Sequence, residues 1–299
     1  MIVTRLFGGL GNQMFQYAAG LSLAQRRRTT LKLDVSWFRE ETGEAPHASY
    51  GMNCFRITEQ FATYDEIWPA PQQNVRNILS PFRSKPAPVQ PEKPKGWHTP
   101  PTFRFYPEFF ELPDDTYLDG HFQAEQFFAP VAGLLRLQFS FRYDPPPHLT
   151  PLVREIEACP RSVAMHFRRG DYAVDPRYST QNGVLTLDYY ERAVDEFQER
   201  LGDFTLYIFS DDIEAIAQEF RPSIPHHFVK EVQPWHSFDE IRLMSLCEHI
   251  VMANSTFSWW AAWLNSSPEK IVIAPAPWFL GGIHNDSDVI PASWLKLAR

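Results

Sequence analysis

Three cysteines, Cys54, Cys159 and Cys247, are all that 299 residues contain. They are too few and too scattered to staple a fold. No CxxC or Cys/His spacing marks a metal site, so they read as buried, reduced thiols of a cytosolic protein. Positive charge is also in short supply. Lys and Arg number 28 against 36 Asp and Glu, a net charge of −8, which argues against a nucleic-acid-binding face. Any anionic ligand would have to be met by a local basic cluster. No apolar run reaches the roughly 20 residues needed to span a bilayer. The N-terminal strand breaks at Gly8 with no basic region ahead of an apolar stretch, so no signal peptide is expected. The sequons at Asn254, Asn265 and Asn285 are then accidental, because a cytosolic chain never meets the machinery that would use them. An internal repeat is lacking as well.

A third glycine is missing near the start. A short apolar strand, Met1 to Phe7, runs into "GGLGNQMFQY", and a helical run over Gln13 to Arg27 follows at once. That is the setting of a dinucleotide-binding loop, which needs G-x-G-x-x-G and an acidic residue about 20 residues further on. Asp34 meets the second demand, but Met14 stands where the last glycine belongs. The fingerprint of a nucleotide-dependent oxidoreductase is therefore incomplete. The glycines are expected instead to let the backbone turn tightly and approach a ligand closely.

What is present is ample core material, 44% hydrophobic and 15% aromatic, arranged in alternating strand and helix signals. "TTLKLDV" reads as a strand. Residues 81–113 are dense in proline, which removes amide donors and fixes φ, so an irregular surface excursion is expected there. "DPPPHL" at 144–149 reads as a stiff bridge between two units. Beyond it "SVAMHF", "FTLYIF", "IVMA" and a last strand "KIVIA" alternate with the helical stretches "FDEIRLMSLCEH" and "FSWWAAWLN". Strand-loop-helix repeated this way argues for an α/β fold with a parallel sheet covered by helices.

Parallel sheets of this kind bind ligands at the carboxyl ends of their strands, and three strand ends carry polar clusters. The first is His166-Phe-Arg168-Arg169-Gly-Asp171. Guanidinium forks match phosphate oxygens and stay charged, and Asp171 could hold one arginine while the other faces a ligand; a structural ion-pair cluster is the alternative. The third is Asn254-Ser255-Thr256, N-cap residue types ahead of an apolar helix. Such a terminus offers free amides and a favourable dipole to a phosphate, unless it is only capped. Together the two suggest a diphosphate. The middle cluster, Ser210-Asp211-Asp212, could accept from a nucleobase or ribose, hold a metal through a diphosphate, or cap a helix. Trp259, Trp260 and Trp263 have helical spacing and read as core, with room for one indole under a sugar or base. His121 and His236 read as ordinary loop residues or candidate catalysts. A sugar-binding module without activity is permitted by the aromatic content, but it would gain nothing from two arginines and a phosphate-suited helix end.

The motifs "GGLGNQMFQYAAG", "GHFQAEQFF", "HFRRGDY", "SDD" and "ANSTFSWWAAWLN" occur in an order that resembles the bacterial α-1,2-fucosyltransferases. This is glycosyltransferase family 11, which also holds the blood-group H-type enzymes. The resemblance runs from Gly8 to about Asn265, with the proline-rich stretch least alike. It implies a GT-B-type fold of two Rossmann-like lobes facing across a cleft: an acceptor-side lobe over 1–149 and a GDP-fucose-binding lobe over 150–299. It further implies transfer of L-fucose from GDP-fucose, with inversion and without cofactor or metal, to the 2-OH of a terminal β-galactoside on an oligosaccharide or glycan. Another linkage is the alternative. The expected location is cytoplasmic, free or peripheral to the inner membrane, with no nucleic-acid partner and no transmembrane segment.

The resemblance also implies roles. His166 and Arg168 would clamp the diphosphate, with Arg168 on the β-phosphate where charge develops, and Arg169 and Asp171 beside them. Ser210, Asp211 and Asp212 would serve guanine or ribose, and Asn254, Ser255, Thr256, Phe257 and Ser258 the phosphate turn. Asn12 would lie by the reacting centre, with Gly11, Gln13 and His121 on the acceptor side. The chain departs from the family pattern at His121, where Tyr is usual, and at Ala261, where Gly is usual. In the α-1,6-fucosyltransferases a Glu past the arginines acts as base. Here that position is Pro176, leaving Asp175 beside it as a candidate.

Overall fold

Alternating strands and helices build two parallel sheets. The computed structural model describes residues 1–39, 49–68, 93–94, 96–230, 236–282 and 284–299, and the side chains of Arg39, Asp171, Val174, Arg177 and Tyr178 lie outside the described set. The first sheet holds β1 (Ile2–Arg5), β2 (Leu31–Asp34), β3 (Trp97–His98) and β4 (Tyr117–Leu118), in the order β2-β1-β4-β3. The second holds β5 (Ser162–Phe167), β6 (Thr205–Ser210), β7 (His226–Phe228), β8 (His249–Val251), β9 (Val272–Ala276) and β10 (Leu295–Ala298), in the order β10-β9-β8-β5-β6-β7. All pairings between these strands are parallel. The α/β class follows the sequence pattern, but β3, β4, β7 and β10 add to it. "KIVIA" is not the last strand, because β10 pairs alongside it. β10 is short and alternates half-buried with exposed positions, so it has no apolar run to announce it.

The helices follow from the same periodicity. Helix α1 (Leu10–Arg27) is buried almost continuously from Gly11 to Ala24 and ends at Arg28, which takes a left-handed φ of 55°. It starts three residues earlier than the apolar pattern predicts, inside the glycine cluster. Beyond it come α2 (Tyr64–Ile67), α3 (Ala132–Gln138), α4 (Thr150–Ala158), α5 (Gly170–Val174) and α6 (Pro176–Gln181). The remaining helices are α7 (Leu187–Leu201), α8 (Ile213–Glu219), α9 (Ser237–Leu246) and α10 (Thr256–Leu264).

The second sheet is packed on both faces, which is why its strands read as continuous apolar runs. Ala164, Tyr207 and Ile250 face one cluster, and Val163, Met165, Leu206 and Ile208 face the other. The first of these clusters is shared with the N-terminal sheet, running from Ile2 and Phe15 to Trp259 and Trp260. Phe15 lies 4.5 Å from the Trp259 ring and 4.8 Å from Trp260, so α1 packs directly on α10. Each buried aromatic of this kind contributes up to about 3 kcal/mol through area removed from water.

The proline-rich stretch is only partly a surface excursion. Residues 81–92 and 95 lie outside the described residues. Over its described remainder, β3 extends the first sheet and Phe109 is fully buried in the shared core. Prolines set its irregular path, and its aromatics anchor it.

Candidate active site

Numbering the six strands of the second sheet in chain order gives 3-2-1-4-5-6 from the β7 edge, the doubly wound order. Its switch point lies between β5 and β8, and the crevice outside their carboxyl ends is where such sheets bind ligands. The segments leaving those two ends are Arg168 to Asp171 after β5 and Met252 to Ser255 after β8. Topology alone therefore brings the first and third polar clusters together.

Arg168 and Arg169 are held apart in direction. The Arg168 guanidinium sits 3.2 Å from the Asp211 carboxylate and 5.7 Å from the centre of the Tyr172 ring. Arg169 turns to Glu219 at 2.6 Å, while its backbone N–H donates to the other Asp211 oxygen at 2.9 Å. Glu219 raises the affinity of Arg169 for its proton. One carboxylate, Asp211, thus fixes both the side chain of Arg168 and the turn that carries it. A pair this accessible contributes at most about 1 kcal/mol to stability, so its main effect is orientation. Gly170 completes the arrangement, since a Cβ there would stand 2.6 Å from the Asp211 carboxylate.

The sequence assigned this bracing to Asp171, but Asp211 makes the described contacts; the Asp171 side chain lies outside the described residues. Asp212 caps α8 by accepting from the Ala215 N–H, and Ser210 Oγ accepts from the Asp212 N–H at 3.0 Å. Both carboxylates of the middle cluster are thereby engaged with the protein itself, one on arginine and one on a helix end.

His166, one residue before the end of β5, is buried on the side of the sheet that faces α10, with its ring 5.8 Å from Phe257. Desolvation lowers its pKa to about 4, so at neutral pH it is an uncharged imidazole. Its Nδ1 has no hydrogen-bond partner among the described residues. A neutral ring here can offer hydrogen bonding to a ligand but not a charge.

The turn after β8 divides its labour. Asn254 is buried, and its amide nitrogen donates to the carbonyls of Asn182, Gly183 and Trp278, while its Oδ1 finds no described partner. Arg299 donates to the same three carbonyls, and Tyr172 donates its hydroxyl hydrogen to the Asn254 carbonyl at 3.2 Å. Asn254 is a brace rather than a ligand-facing amide. Ser255 is the N-cap of α10, accepting from the Phe257 N–H. Ser258 is fully buried and bonds back to its own segment. Thr256 and Phe257 keep half-buried surface at the helix start.

That helix start meets the glycine motif. A Cβ on Gly11 would lie 2.6 Å from both the Thr256 backbone carbon and Oγ1, and 2.8 Å from the Phe257 nitrogen. The Gly11 carbonyl accepts from the Trp260 indole at 2.9 Å. Gly11 is therefore a helix-packing residue, not a loop residue lying against a ligand. Gln13 also differs from expectation. It is fully buried, donating to the carbonyls of Gly8 and Ser49 and accepting from the Gly51 N–H, each at 2.9 Å. Gln16 clips both backbone groups of Phe7. The two glutamines hold the turn in shape. Asn12 stays half-exposed, its Oδ1 accepting from Gln123 at 3.0 Å.

His121 packs edge-on to Phe7 at 5.0 Å and stacks on Phe103 at 5.5 Å, and Phe103 in turn touches Phe279 and His284 from the second half. Burial and the nearby His284 lower the His121 pKa to about 4. Asp288 accepts from the Phe105 N–H at 3.1 Å and pairs with Arg104, which ties the excursion to the loop after β9. Asp175 sits in the turn between α5 and α6, its carbonyl accepting from the Ser179 N–H. His236 caps α9, and the three indoles of α10 all donate inside the fold, so none serves a ligand. Gln123 and Gln16 escaped sequence reasoning, although both stand inside the quoted motifs.

Gln123 bonds Asn12, the adjoining Gly11 lies close against Thr256 and Phe257, the Phe257 ring lies beside His166, and Arg168, two residues on, pairs with Asp211. The arrangement places one oriented guanidinium, a neutral imidazole and a helix N-terminus beside a polar amide from the other sheet.

Residues 108–297 match the family model described as Glycosyl transferase family 11. The O-antigen biosynthesis glycosyltransferase WbnK of Escherichia coli is 29% identical over 312 aligned positions, covering 98% of this chain and 99% of that protein. An alpha-1,2-colitosyltransferase of Escherichia coli is 30% identical over 316 positions, covering 100% and 99%. Galactoside alpha-(1,2)-fucosyltransferase 1 of Saimiri boliviensis boliviensis is 26% identical over 268 positions, covering 86% of this chain and 63% of that protein.

Proposed function

Because the chain belongs to glycosyl transferase family 11, we propose that it transfers a fucose-like sugar from a GDP-linked donor to the 2-OH of a terminal β-galactoside, with inversion at the anomeric carbon. The observation that carries the reading is that Arg168 and the α10 N-terminus follow β5 and β8, the two strands that flank the switch point of the doubly wound sheet. As the donor's C1–O bond breaks, negative charge grows on the departing diphosphate. Arg168, held by Asp211, meets that charge as it develops and so stabilises the transition state more than the ground state. Thr256 and Phe257 at the helix start add the positive end of the dipole. His166 supplies a hydrogen bond from a neutral ring. Asn12, across from them on α1, orients the acceptor hydroxyl. In this reading the two sheets are the lobes of a GT-B-type enzyme, and no metal is required, because guanidinium and helix dipole together neutralise the diphosphate.

A second donor has specific support: a relative matching the full chain is an alpha-1,2-colitosyltransferase. Colitose is fucose without the 3-hydroxyl, so one site could take either. Release of GDP from GDP-fucose and from GDP-colitose, with and without lactose-type acceptors and with and without EDTA, tests the proposal. Acceptor-dependent release of GDP, untouched by EDTA, is the expected outcome. No release from either donor with any β-galactoside refutes the reading, and activity lost to EDTA and restored by Mg or Mn refutes the metal-free form.

A further inference from the structure

The transfer reaction needs a base, and the one carboxylate the sequence named for it is Asp175. The structure places a different carboxylate at the facing edge of the other sheet. Asp119 directly follows β4, the strand hydrogen-bonded to β1, and its N–H donates to the His98 carbonyl at the end of β3. β1 leads through Phe7 into the glycine turn and Asn12, and β4 leads through Asp119 to His121 and Gln123, which bonds Asn12. Asp119 therefore stands at the carboxyl edge from which the acceptor-side motifs emerge.

Its neighbours leave it unusually uncommitted. The recorded partner of Asp119 is Arg5 at 3.5 Å, longer than a good charge-assisted hydrogen bond. Other described carboxylates at the two edges are bound more closely. Asp34 accepts from the Tyr117 hydroxyl and the Ser36 N–H. Asp211 holds both arginines, and Asp212 caps a helix. Asp286 accepts from the N–H groups of Trp278 and Phe279, and Asp288 from that of Phe105. The Asp119 side chain is 18% exposed, which is enough for a hydroxyl to reach it and too little for full hydration. Burial raises its affinity for a proton, Arg5 opposes this, Asp34 on β2 adds to it, and Lys93 ahead of β3 weakly opposes it. A carboxylate made more basic in this way is better matched to accepting a proton near neutral pH.

We propose that Asp119 is the general base, taking the proton of the acceptor hydroxyl as that oxygen attacks the donor sugar; the inference rests on the glycosyl-transfer reading above. In this step the acceptor O–C1 bond forms and the C1–O bond to the diphosphate breaks, its electron pair leaving with GDP. The acceptor proton ends on the Asp119 carboxylate and passes to water from its exposed side. Arg5 positions the carboxylate.

The test is Asp119→Asn in the full chain, assayed with the donor that the wild type uses and a β-galactoside acceptor. Turnover should fall by roughly a hundredfold or more, the scale of general-base catalysis. The donor KM should stay near its wild-type value, and the acidic limb of the kcat–pH profile should disappear. Asp119→Glu, which keeps a carboxylate, should retain a shifted acidic limb. If Asp119 only braced Arg5, Asp119→Asn would lower the melting temperature and raise the acceptor KM while leaving the limb in place, and that result overturns the proposal. A wild type that transfers sugar alongside an Asp119→Asn variant of near-normal kcat overturns this inference alone. A wild type that transfers nothing overturns the functional reading with it.

Discussion

Replacing Gly11 by alanine puts the packing of the two motifs to a direct test. The new methyl carbon would stand 2.6 Å from the Thr256 backbone and Oγ1 and 2.8 Å from the Phe257 nitrogen. Ordinary contacts are near 3.5–4.0 Å, so α1 and α10 must part by roughly 1 Å. Two of the three obstructing atoms are backbone, which cannot rotate away. Overpacking of this kind costs about 1–3 kcal/mol, and the Trp260–Gly11 hydrogen bond, worth about 1 kcal/mol, is stretched as well. Alanine's better helix propensity returns less than about 1 kcal/mol. The net is a loss of about 1–3 kcal/mol, a melting temperature lower by roughly 2–6 °C in a chain of this size.

Gly9, two residues earlier, supplies the control. Nothing lies within 4 Å of a Cβ built there, and its φ is −71°, so Gly9→Ala should melt within about 1 °C of wild type. Scanning calorimetry on the two variants makes the comparison. Displacing Asn12 from the α10 turn by about 1 Å should also cost Gly11→Ala turnover, by roughly tenfold to a hundredfold. If Gly11→Ala melts with wild type, or Gly9→Ala falls as far, the close approach is not what the motif's glycine is for.

Arg168→Ala should remain folded, because its ion pair with Asp211 is half-exposed, yet lose roughly a hundredfold or more in turnover, from about 3 kcal/mol of lost transition-state stabilisation; a steady-state assay finding near-normal kcat would remove it from the reaction. Asn12→Ala should slow turnover and leave GDP affinity by calorimetry unchanged, whereas weakened GDP binding would put Asn12 on the donor side. His121 and His166 are both held neutral with pKa values near 4, so between about pH 6.5 and 4 the unfolded chain binds protons that the folded one refuses. Stability is therefore whole above pH 6.5 and drains away as the pH falls toward 4. Urea midpoints should show this slope, and His121→Tyr should flatten it; an unchanged slope would contradict the burial of that ring.

Much of the second half was legible because its strands are buried on two faces and so stand out as apolar runs. "SVAMHF" became Ser162–Phe167 without revision. The first half was less readable. β3 and β4 are two residues each, shorter than any periodicity can mark; β4 forms on β1, and β3 on β4. The arginines and the turn after β8 were legible as polar clusters at strand ends, since a charge cluster and an N-cap sequence announce themselves. What each residue does was not. Asp211 read as a base or ribose contact but braces the arginines, Gln13 read as ligand-facing but is fully buried, and Asp119 passed unmarked between two better motifs.

The sequence by itself determined the alternation of strand and helix, the places where charge follows a buried strand, and the family, because these depend on residues near one another in the chain. The order of the strands, the meeting of Gly11 with Thr256 across 245 positions (256 − 11), and the commitment of each carboxylate to one partner or another were decided only by tertiary structure. Those depend on which distant groups packing brings within 3–4 Å. At that range a hydrogen bond or a methyl group changes the energy by a kcal/mol or more, and nothing in local sequence records which partner will be there.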